Sequence, residues 1–329
     1  MTTKINRLTQ FNHQNVLVIG DVMIDRYHNG KVDRISPEAP VPIVHLKNTD
    51  NRLGGAANVA LNLKALGANP ILCSLIGKDE NAAIFLDLLP TQGISTKGIL
   101  QSSERMTTVK TRVLASNQQL LRIDQEDTHA LSTKETMRLM EHLGYLLDQE
   151  KIDLIILQDY NKGVLSDEVI SRIMQDAVKR NIPTAVDPKK ANFFAFQNAH
   201  LFKPNLKEVN ESLPFAVAPT LQSLDQAAAY IQEKLNNRYT LITLSDKGLY
   251  INDGQKSEIV PTQKRNITDV CGAGDSVISI AALAMSLSFD RKDIALLSNL
   301  AGGQVCEKVG VVPIDKNQLQ NEYLRINVS

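Results

Sequence analysis

The sequence has no tryptophan, and aromatic residues of all kinds make up only 5% of its 329 residues. It has three cysteines, Cys73, Cys271 and Cys306, which are odd in number, widely spaced and without a Cys-x-x-Cys or cysteine–histidine pattern. This usage argues against a disulfide framework and against a structural zinc site. We therefore expect a protein of the reducing cytoplasm.

Net charge is also lacking, because 36 Lys and Arg residues balance 36 Asp and Glu residues. No overall field would attract nucleic acid or an anionic membrane, so we expect neither as a partner. The first apolar run, residues 16–19, is too short for a signal peptide or a membrane span. With an apolar fraction of 43%, the chain can fill the core of one large domain, which we expect over residues 1–329.

One glycine-rich segment, residues 268–276 (TDVCGAGDS), directly precedes an apolar run at 277–285 that is long enough for a buried helix. The backbone amides of Gly272, Ala273 and Gly274 should then lie at a helix N-terminus and form an anion site. Asp275 would lie in the first turn, where a carboxylate could take a proton from a hydroxyl while the amides hold a phosphoryl group. The alternative is an ordinary glycine-rich turn followed by an acidic residue.

A second glycine-rich segment, residues 53–63 (LGGAANVALNL), lies far upstream. It predicts a helix that begins just after Gly54 and Gly55. Asn58 falls in the first turn of that helix, where its amide could reach a ligand lying on the glycines. The alternative is that the glycines serve close helix packing.

Together the two segments resemble the signature motifs of the ribokinase (PfkB) family of sugar kinases, and the resemblance covers nearly the whole chain. Three further stretches are similar to the kinase half of the heptose-phosphate kinase/ADP-heptose synthase group: 20–27 (GDVMIDRY), 34–42 (RISPEAPVP) and 117–124 (NQQLLRID). The resemblance implies an α/β fold of the ribokinase type. Such a fold has a doubly wound, mainly parallel sheet flanked by helices, with a small β-sheet lid.

The resemblance further implies ATP-dependent phosphorylation of D-glycero-β-D-manno-heptose 7-phosphate at its anomeric hydroxyl, to give the 1,7-bisphosphate of the ADP-heptose and lipopolysaccharide core pathway. Mg²⁺ would accompany ATP, and many family members hold K⁺ beside the loop that contains Asp269. Another phosphosugar, such as a hexose phosphate, is an alternative substrate, and a non-catalytic sugar or nucleotide sensor is an alternative function. The sequence has no HxGH-type motif, so we expect no nucleotidyltransferase domain and a separate enzyme for that later step.

The lid is expected from two stretches, at about 26–46 and 107–124, whose prolines and alternating polarity indicate edge strands. The second stretch predicts a hairpin that turns through residues 115–118. Alternation places Lys110 and Arg112 on one face, either solvated or available to a phosphate. With Arg122 they are candidates for the distal phosphate of the sugar, and exposed lid strands would offer edges for a homodimer.

Helical and strand-like segments alternate along the rest of the chain, which predicts right-handed crossovers onto one parallel sheet. Helices are expected at 56–66, 79–89, 135–149, 166–180 and 223–235, and strands at 16–20, 71–77, 152–157, 183–186, 201–203 and 240–244. Polar segments follow the strands, at 159–163, 187–190, 203–208 and 243–248, where open α/β sheets bind ligands. Asp159 and Lys162 are candidates for substrate, although each segment alone could be an ordinary polar loop.

The family resemblance assigns further residues. Asp21 matches an aspartate that binds sugar hydroxyls, and a turn aspartate is the alternative. Asn205 and Glu208 match the Asn-x-x-Glu element, with Leu206 and Lys207 between them, which holds Mg²⁺ and nucleotide phosphates through water. Further nucleotide-binding residues are Thr243, Ser245, Gly248, Asp269 and Asn299, together with Gly272 and Gly274.

Three further features of the sequence bear on the nucleotide site and the adjacent anion site. Ser245 stands where many members carry glycine. An apolar helix over 295–310 contains Gly302 and Gly303, which would suit either a flat adenine ring or tight helix packing. Cys271 borders the anion site at a helix N-terminus, a setting that can lower the pKa of a thiol.

Overall fold

The computed structural model describes residues 7–115 and 118–328. Within them the strands are β1 Asn15–Gly20, β2 Val22–Ile35, β3 Pro42–Gly55, β4 Asn69–Gly77, β5 Ile99–Ser102, β6 Val109–Ala115, β7 Gln118–Gln125, β8 Leu154–Gln158, β9 Thr184–Asp187, β10 Leu201–Phe202, β11 Tyr239–Thr243, β12 Leu249–Asn252 and β13 Ser257–Val260. The helices are α1 Ala56–Leu66, α2 Glu80–Thr91, α3 Thr133–Gln149, α4 Asp167–Lys179, α5 Leu206–Ser212, α6 Leu221–Leu235, α7 Ala273–Ser286, α8 Arg291–Val305 and α9 Lys316–Val328. No described helix is both long enough and apolar enough to cross a membrane.

Nine of the described strands form one sheet in the order β13-β12-β11-β10-β9-β8-β1-β4-β5. All its strand pairs are parallel except β11–β12 and β12–β13, which are antiparallel. Strand β1 is an interior strand, third from the β5 edge. Its residues 16–19 are fully buried and alternate between two apolar layers, with Val16 and Val18 facing one and Leu17 and Ile19 the other. Burial on both faces explains why this strand is a continuous apolar run. The predicted doubly wound α/β fold is confirmed.

The second, smaller sheet has the order β3-β2-β6-β7 and forms the lid. Strands β2 and β3 are antiparallel over their full lengths, whereas β6 pairs with β2 only from Ile24 to Gly30. The tip of the β2–β3 hairpin therefore projects beyond the rest of the lid. The first lid strands are longer than the predicted 26–46, because β2 begins directly after β1 and β3 runs directly into α1.

The register of β6 and β7 confirms the predicted hairpin pairing, in which Lys110 lies opposite Asp124 and Arg112 opposite Arg122. Ser116 and Asn117, within the predicted turn, lie outside the described residues. The helix predicted over 295–310 ends earlier, at Val305. Strands β5, β12 and β13 and helices α5 and α9 were not predicted, because they are short or carry no strong apolar pattern.

Candidate active site

The site lies where three parallel strands end beside the N-terminus of α7. Gly20 of β1 pairs with Gln158 of β8, and Gln158 pairs with Asp187 of β9, so the last residues of these strands lie side by side. Helix α7 is almost wholly apolar and buried from Asp275 to Met285. Its burial against the sheet fixes its first turn over the strand ends, which is where open α/β sheets bind ligands.

Asp275 lies in that first turn and is buried. Its Oδ2 accepts a hydrogen bond from Asn58 Nδ2 at 2.7 Å, and its Oδ1 accepts from Tyr160 Oη at 2.7 Å and from Gln158 Nε2 at 3.2 Å. Burial raises the pKa of Asp275 to about 6, although the hydrogen bonds from Asn58 and Tyr160 act to lower it. A carboxyl with this pKa is ionised at neutral pH and still basic enough to take a proton.

The predicted anion site is the N-terminus of α7. Gly272 caps the helix in the left-handed region, with φ 78°, and its Cα lies against the Asn58 amide, since a Cβ there would come within 2.9 Å of Asn58 Nδ2. The Ala273 amide donates to Val270 O at 3.3 Å. In the described part of the chain, the amides of Gly272 and Gly274 have no partner, so these two remain for a ligand.

A buried cation lies beside the same turn. Lys203 Nζ pairs with Asp187 Oδ2 at 2.9 Å, and both would lie within 4 Å of a Cβ placed on Gly274. Gln158 Nε2 also donates to Asp187 Oδ2, at 3.1 Å, and so links this ion pair to Asp275. The arrangement puts a positive charge next to two helix N-terminal amides, which suits a phosphoryl group.

Asp21 and Asp159 have their carboxylates directed at the protein. Asp21 accepts hydrogen bonds from the backbone amides of Tyr160, Lys162 and Val164 at 2.8, 3.1 and 3.0 Å. Asp159 accepts from the Asn161 amide and from Asn192 Nδ2, at 2.7 and 3.0 Å. Both carboxylates therefore fasten the loop that carries Tyr160, and their predicted contacts with a sugar stay predictions.

The carboxylate that lies against the second glycine segment is Asp25. A Cβ on Gly54 would overlap Asp25 Oδ2, which explains the glycine at that position. Arg112 pairs with Asp25 Oδ1 at 2.5 Å, and its guanidinium lies 5.3 Å from the centre of the Tyr27 ring. Gly55 caps α1, which places Asn58 in its first turn as predicted.

Two lysines of the lid side converge on one carboxylate. Glu126 binds Lys110 at 3.1 Å and Lys162 at 2.7 Å, and Lys110 also contacts Asp124 at 3.2 Å. Burial opposes ionisation, but hydrogen bonds from Lys162 and Lys110 hold the pKa of Glu126 below its usual value. Arg122 is half exposed and pairs with Asp124 at 3.0 Å. Both lysines thus have a bound anion, supplied by the protein itself.

Asn205 and Glu208 form a capping box at the start of α5. Each side chain accepts the other residue's backbone N–H at 2.8 Å, and Glu208 Oε1 also binds Lys189. The end of β11 lies alongside, since Asn205 forms a bridge with Thr243. Leu206 lies on the apolar layer, and Lys207 is exposed and pairs with Glu211 at 3.7 Å.

The remaining predicted nucleotide residues lie around the end of β13. Ser245 has φ 58°, in the left-handed region where glycine is favoured, and Gly248 has φ 99°. A Cβ on Gly248 would overlap Val260 O, and Asn299 Nδ2 donates to Val260 O and Pro261 O at 3.2 and 2.7 Å. Thr243 ends β11 and lies opposite Leu249 of β12, which in turn lies opposite Val260 of β13. Thr243, Ser245, Gly248 and Asn299 therefore form one neighbourhood.

The paired glycines of α8 pack against protein. A Cβ on Gly302 would lie 2.9 Å from Val277 Cγ2 of α7, and one on Gly303 would lie 2.7 Å from Arg265 Nε. The sequence left open whether these glycines serve an adenine ring or tight packing. The structure shows tight packing, because the side chains of Val277 and Arg265 lie where the glycine side chains would be.

Asp269 ties the segment that precedes α7 to the segment that follows α8. Its carboxylate accepts hydrogen bonds from the amides of Cys271 and Gly310, at 3.0 and 2.9 Å. Burial and the neighbouring Asp269 raise the pKa of the Cys271 thiol to about 11. The expectation of a lowered thiol pKa was wrong, because burial and, after it, the adjacent Asp269 carboxylate both disfavour the thiolate.

Six residues of the site were not singled out from the sequence: Asp25, Glu126, Gln158, Tyr160, Asp187 and Lys203. Tyr160, Asp187 and Lys203 lie within the polar segments that follow strands, so position alone could have found them. Gln158 is the one polar residue at the end of an apolar strand. Nothing in the sequence around Glu126 marks it as a site residue, because its role depends on ion pairs with Lys110 and Lys162, which are distant in the chain.

Residues 13–317 match the model of the pfkB family carbohydrate kinases. The chain is 40% identical, over 95% of its length, to the bifunctional protein HldE of Methylobacillus flagellatus, and 38% identical, over 93%, to that of Geobacter sulfurreducens. It spans 64% and 62% of those two relatives, which is less than two thirds of their length.

Solved structures of similar fold include phosphofructokinase-2 from Escherichia coli in complex with potassium, with a TM-score of 0.79 and 18% identity over 95% of this chain and 99% of that one. Ribokinase from Arabidopsis thaliana, complexed with ribose and ATP, has a TM-score of 0.71 and 16% identity over 94% and 98% of the two chains. At these identities the likeness concerns the fold.

Proposed function

Because this chain belongs to the pfkB family of carbohydrate kinases, we propose that it transfers the γ-phosphoryl group of ATP to the anomeric hydroxyl of D-glycero-β-D-manno-heptose 7-phosphate. The observation that carries the kinase assignment is Asp275, a buried carboxylate in the first turn of a helix. The amides of Gly272 and Gly274 at the same helix end have no hydrogen-bond partner among the described residues. The heptose assignment rests on the stretches at 20–27, 34–42 and 117–124, which are similar to the heptose kinase group.

Each residue of the site has a separate role in the proposed reaction. Asp275 takes the proton of the acceptor hydroxyl as its oxygen attacks the γ-phosphorus and the bond to ADP breaks. The amides of Gly272 and Gly274 donate to the oxygens of the group in transfer, and Lys203 supplies a fixed positive charge beside them. Such preorganised donors stabilise the charge that develops in phosphoryl transfer.

Asn205 and Glu208 suit a water-mediated Mg²⁺ role better than direct ligation. Their side-chain oxygens are hydrogen-bonded within the capping box, yet each oxygen retains a lone pair for a metal-bound water. No group of three or more metal-ligating side chains occurs within 7–115 and 118–328. Mg²⁺, when bound, would neutralise charge on the nucleotide phosphates.

Asp269 is the proposed neighbour of a K⁺ site. Its carboxylate holds the Cys271 and Gly310 amides, and backbone hydrogen bonds, working against burial, lower its pKa, so it keeps a negative charge. Comparing activity in potassium with activity in a bulky organic cation measures this role.

Lys110 and Lys162 are the proposed partners of the distal phosphate. They already converge on the Glu126 carboxylate, and a phosphate dianion would satisfy the same two ammonium groups. Arg112 is held by Asp25 instead, and Arg122 is half exposed. Glu126 would then move away from the lysines when the phosphosugar binds.

Two partner assignments complete the proposal. Conversion of the bisphosphate to ADP-heptose requires a nucleotidyltransferase, which we assign to a different catalytic unit, since the described residues fold as the kinase. The lid carries exposed apolar residues on β7, including Leu121 at 56% exposure and Ile123 at 52%, and we assign to it the interface of a homodimer.

A panel of sugar phosphates, assayed for ADP release with and without Asp275→Asn, tests the function. The heptose 7-phosphate should give the highest kcat/KM, and Asp275→Asn should lower kcat by roughly 10²–10⁴-fold, the usual contribution of a base. Higher kcat/KM for a hexose phosphate would reassign the substrate. Full turnover by Asp275→Asn would show that Asp275 is not the base. If the unaltered protein bound nucleotide without releasing ADP, the alternative function as a sensor would be favoured.

A further inference from the structure

The hydrogen bonds around Asp275 are unequal for its two oxygens. Among the residues that the structure describes, Oδ1 accepts from both Tyr160 Oη and Gln158 Nε2, whereas Oδ2 accepts from Asn58 Nδ2 alone. Each carboxylate oxygen has two lone pairs in the carboxyl plane. Oδ1 is therefore filled, and Oδ2 keeps one acceptor position.

We infer that Tyr160 is a positioning residue for the catalytic base: with Gln158 it fills Oδ1 of Asp275, so that Oδ2 is the oxygen that takes the proton of the acceptor hydroxyl. The inference rests on the proposed function, in which Asp275 is the base. The O–H bond of the acceptor breaks as its oxygen bonds to the γ-phosphorus, the proton goes to Oδ2, and ADP leaves with the electron pair of the broken P–O bond.

The backbone of Tyr160 is held as firmly as its hydroxyl. Its amide donates to Asp21 Oδ2 at 2.8 Å, and the amides of Lys162 and Val164 donate to the same carboxylate. The next residue, Asn161, takes the left-handed conformation at φ 54°, and its amide is bound by Asp159. Asp21 thus acts on Asp275 through the 160–164 loop, because it fixes where the Tyr160 side chain starts.

Tyr160 remains a donor throughout the working pH range. Burial and the nearby carboxylates of Asp275 and Asp187 raise the pKa of its phenol well above 10. A donor that binds the ionised form of a carboxyl more strongly than the neutral form lowers the pKa of that carboxyl. Tyr160 therefore offsets part of the effect of burial and keeps Asp275 ionised at neutral pH.

Other charges also face Asp275. Asp187 raises its pKa and Lys203 lowers it, the Lys189 ammonium lies 5.5 Å from the centre of the Tyr160 ring, and the charge of Asp25 also acts on Tyr160. None of these is altered by replacing Tyr160 with phenylalanine. A change in the pH dependence of that variant would therefore come from the lost hydroxyl.

The test is the pH profile of kcat for Tyr160→Phe between pH 5 and pH 9.5. Loss of the Tyr160 hydroxyl removes one donor to the Asp275 carboxylate, which raises the pKa of Asp275. The acid limb should therefore move to higher pH by about one unit. Turnover should fall several-fold at pH 6.5 and return to within about twofold of the unaltered protein at pH 9. Gln158→Met, which loses the longer hydrogen bond, should move the limb in the same direction by less.

Tyr250→Phe is the matched control, because Tyr250 is also buried and its hydroxyl donates to a carboxylate, Asp225, at 2.8 Å. It should leave the acid limb unchanged. If the acid limb of the kcat profile stays where it is in both Tyr160→Phe and Gln158→Met, while Asp275→Asn is inactive, the inference is overturned. The proposed function would still stand in that case, because Asp275 would remain the base. Should Oδ1 be the reacting oxygen, Tyr160 would compete with the acceptor, and a rise in turnover of Tyr160→Phe at pH 9 would also overturn the inference.

Discussion

Two arginines of the lid lie opposite each other in the sheet and in contrasting surroundings. Arg112 has a side chain that is 12% exposed and is paired with the buried Asp25, whereas Arg122 is 53% exposed and is paired with Asp124. A buried ion pair is costly to break, because the remaining charge is left without solvent or partner. An exposed pair contributes little.

Arg112→Ala should therefore destabilise the protein by on the order of 3 kcal/mol, because it leaves the Asp25 carboxylate buried and unpaired. It should also raise the KM for the phosphosugar, since Asp25 lies against Gly54 at the site. Arg122→Ala, the matched control, should cost less than about 1 kcal/mol. Urea unfolding and KM measurements check both.

If Arg112→Ala and Arg122→Ala lowered the free energy of unfolding by the same amount, the contrast between a buried and an exposed ion pair would be wrong. A large rise in the phosphosugar KM for Arg122→Ala alone would move the distal phosphate to the exposed arginine.

At the scale of elements, the turn between β11 and β12 shows how backbone conformation restricts residue type. Ser245 and Gly248 both have positive φ, but only Gly248 lacks room for a side chain, since a Cβ would overlap Val260 O. A serine in the left-handed region costs roughly 1–2 kcal/mol relative to glycine. That cost is small enough to be compatible with folding, so a serine is tolerated at this position.

Ser245→Gly should leave the melting temperature within a few degrees or raise it, because relief of the left-handed conformation is offset by the greater freedom of glycine in the unfolded chain. Gly248→Ala should lower the melting temperature and raise the KM for ATP, because β13 must move away. Thermal unfolding and ATP kinetics of the pair measure this. An ATP KM that is unaltered in Gly248→Ala would remove the turn from the nucleotide site.

At the scale of the whole molecule, the lid has more apolar surface than its own contacts cover. Ile35, at the tip of the β2–β3 hairpin beyond the pairing with β6, is 60% exposed, and Leu46, opposite Gly30 at the end of that pairing, is 56% exposed. A two-stranded ribbon is only marginally stable by itself. A second copy of the chain would cover this surface, and most oligomers of this kind are two-fold symmetric.

The double variant Leu121→Ser/Ile123→Ser should therefore be monomeric under conditions in which the unaltered protein sediments as a dimer. Val178→Ser provides the control, since Val178 is equally exposed on α4, outside the lid, and its replacement should leave the mass unchanged. Analytical ultracentrifugation gives both masses. A dimer that persists in the double variant would place the interface elsewhere.

The elements that could be predicted from the sequence are those whose signal is local. The continuous apolar run of β1, the apolar run after Gly274 and the helical segment 56–66 are each patterns of neighbouring residues, so this strand and these two helices were predicted correctly. Asp275 was placed at a helix N-terminus for the same reason. The short strands β12 and β13 were missed because antiparallel pairing, of β12 with β11 and of β13 with β12, makes them strands rather than their own pattern.

By itself, then, the sequence determined the α/β class, the two glycine segments and the carboxylate at the head of α7, because these depend on residues close in the chain. Only the tertiary structure decided which side chains meet that carboxylate. Asn58 lies 217 positions from Asp275, Gln158 117 and Tyr160 115, and the register of β1, β8 and β9 sets the strand ends beside which they meet. Burial, which raises the pKa of Asp275 to about 6, likewise exists only once the strands and α7 have packed.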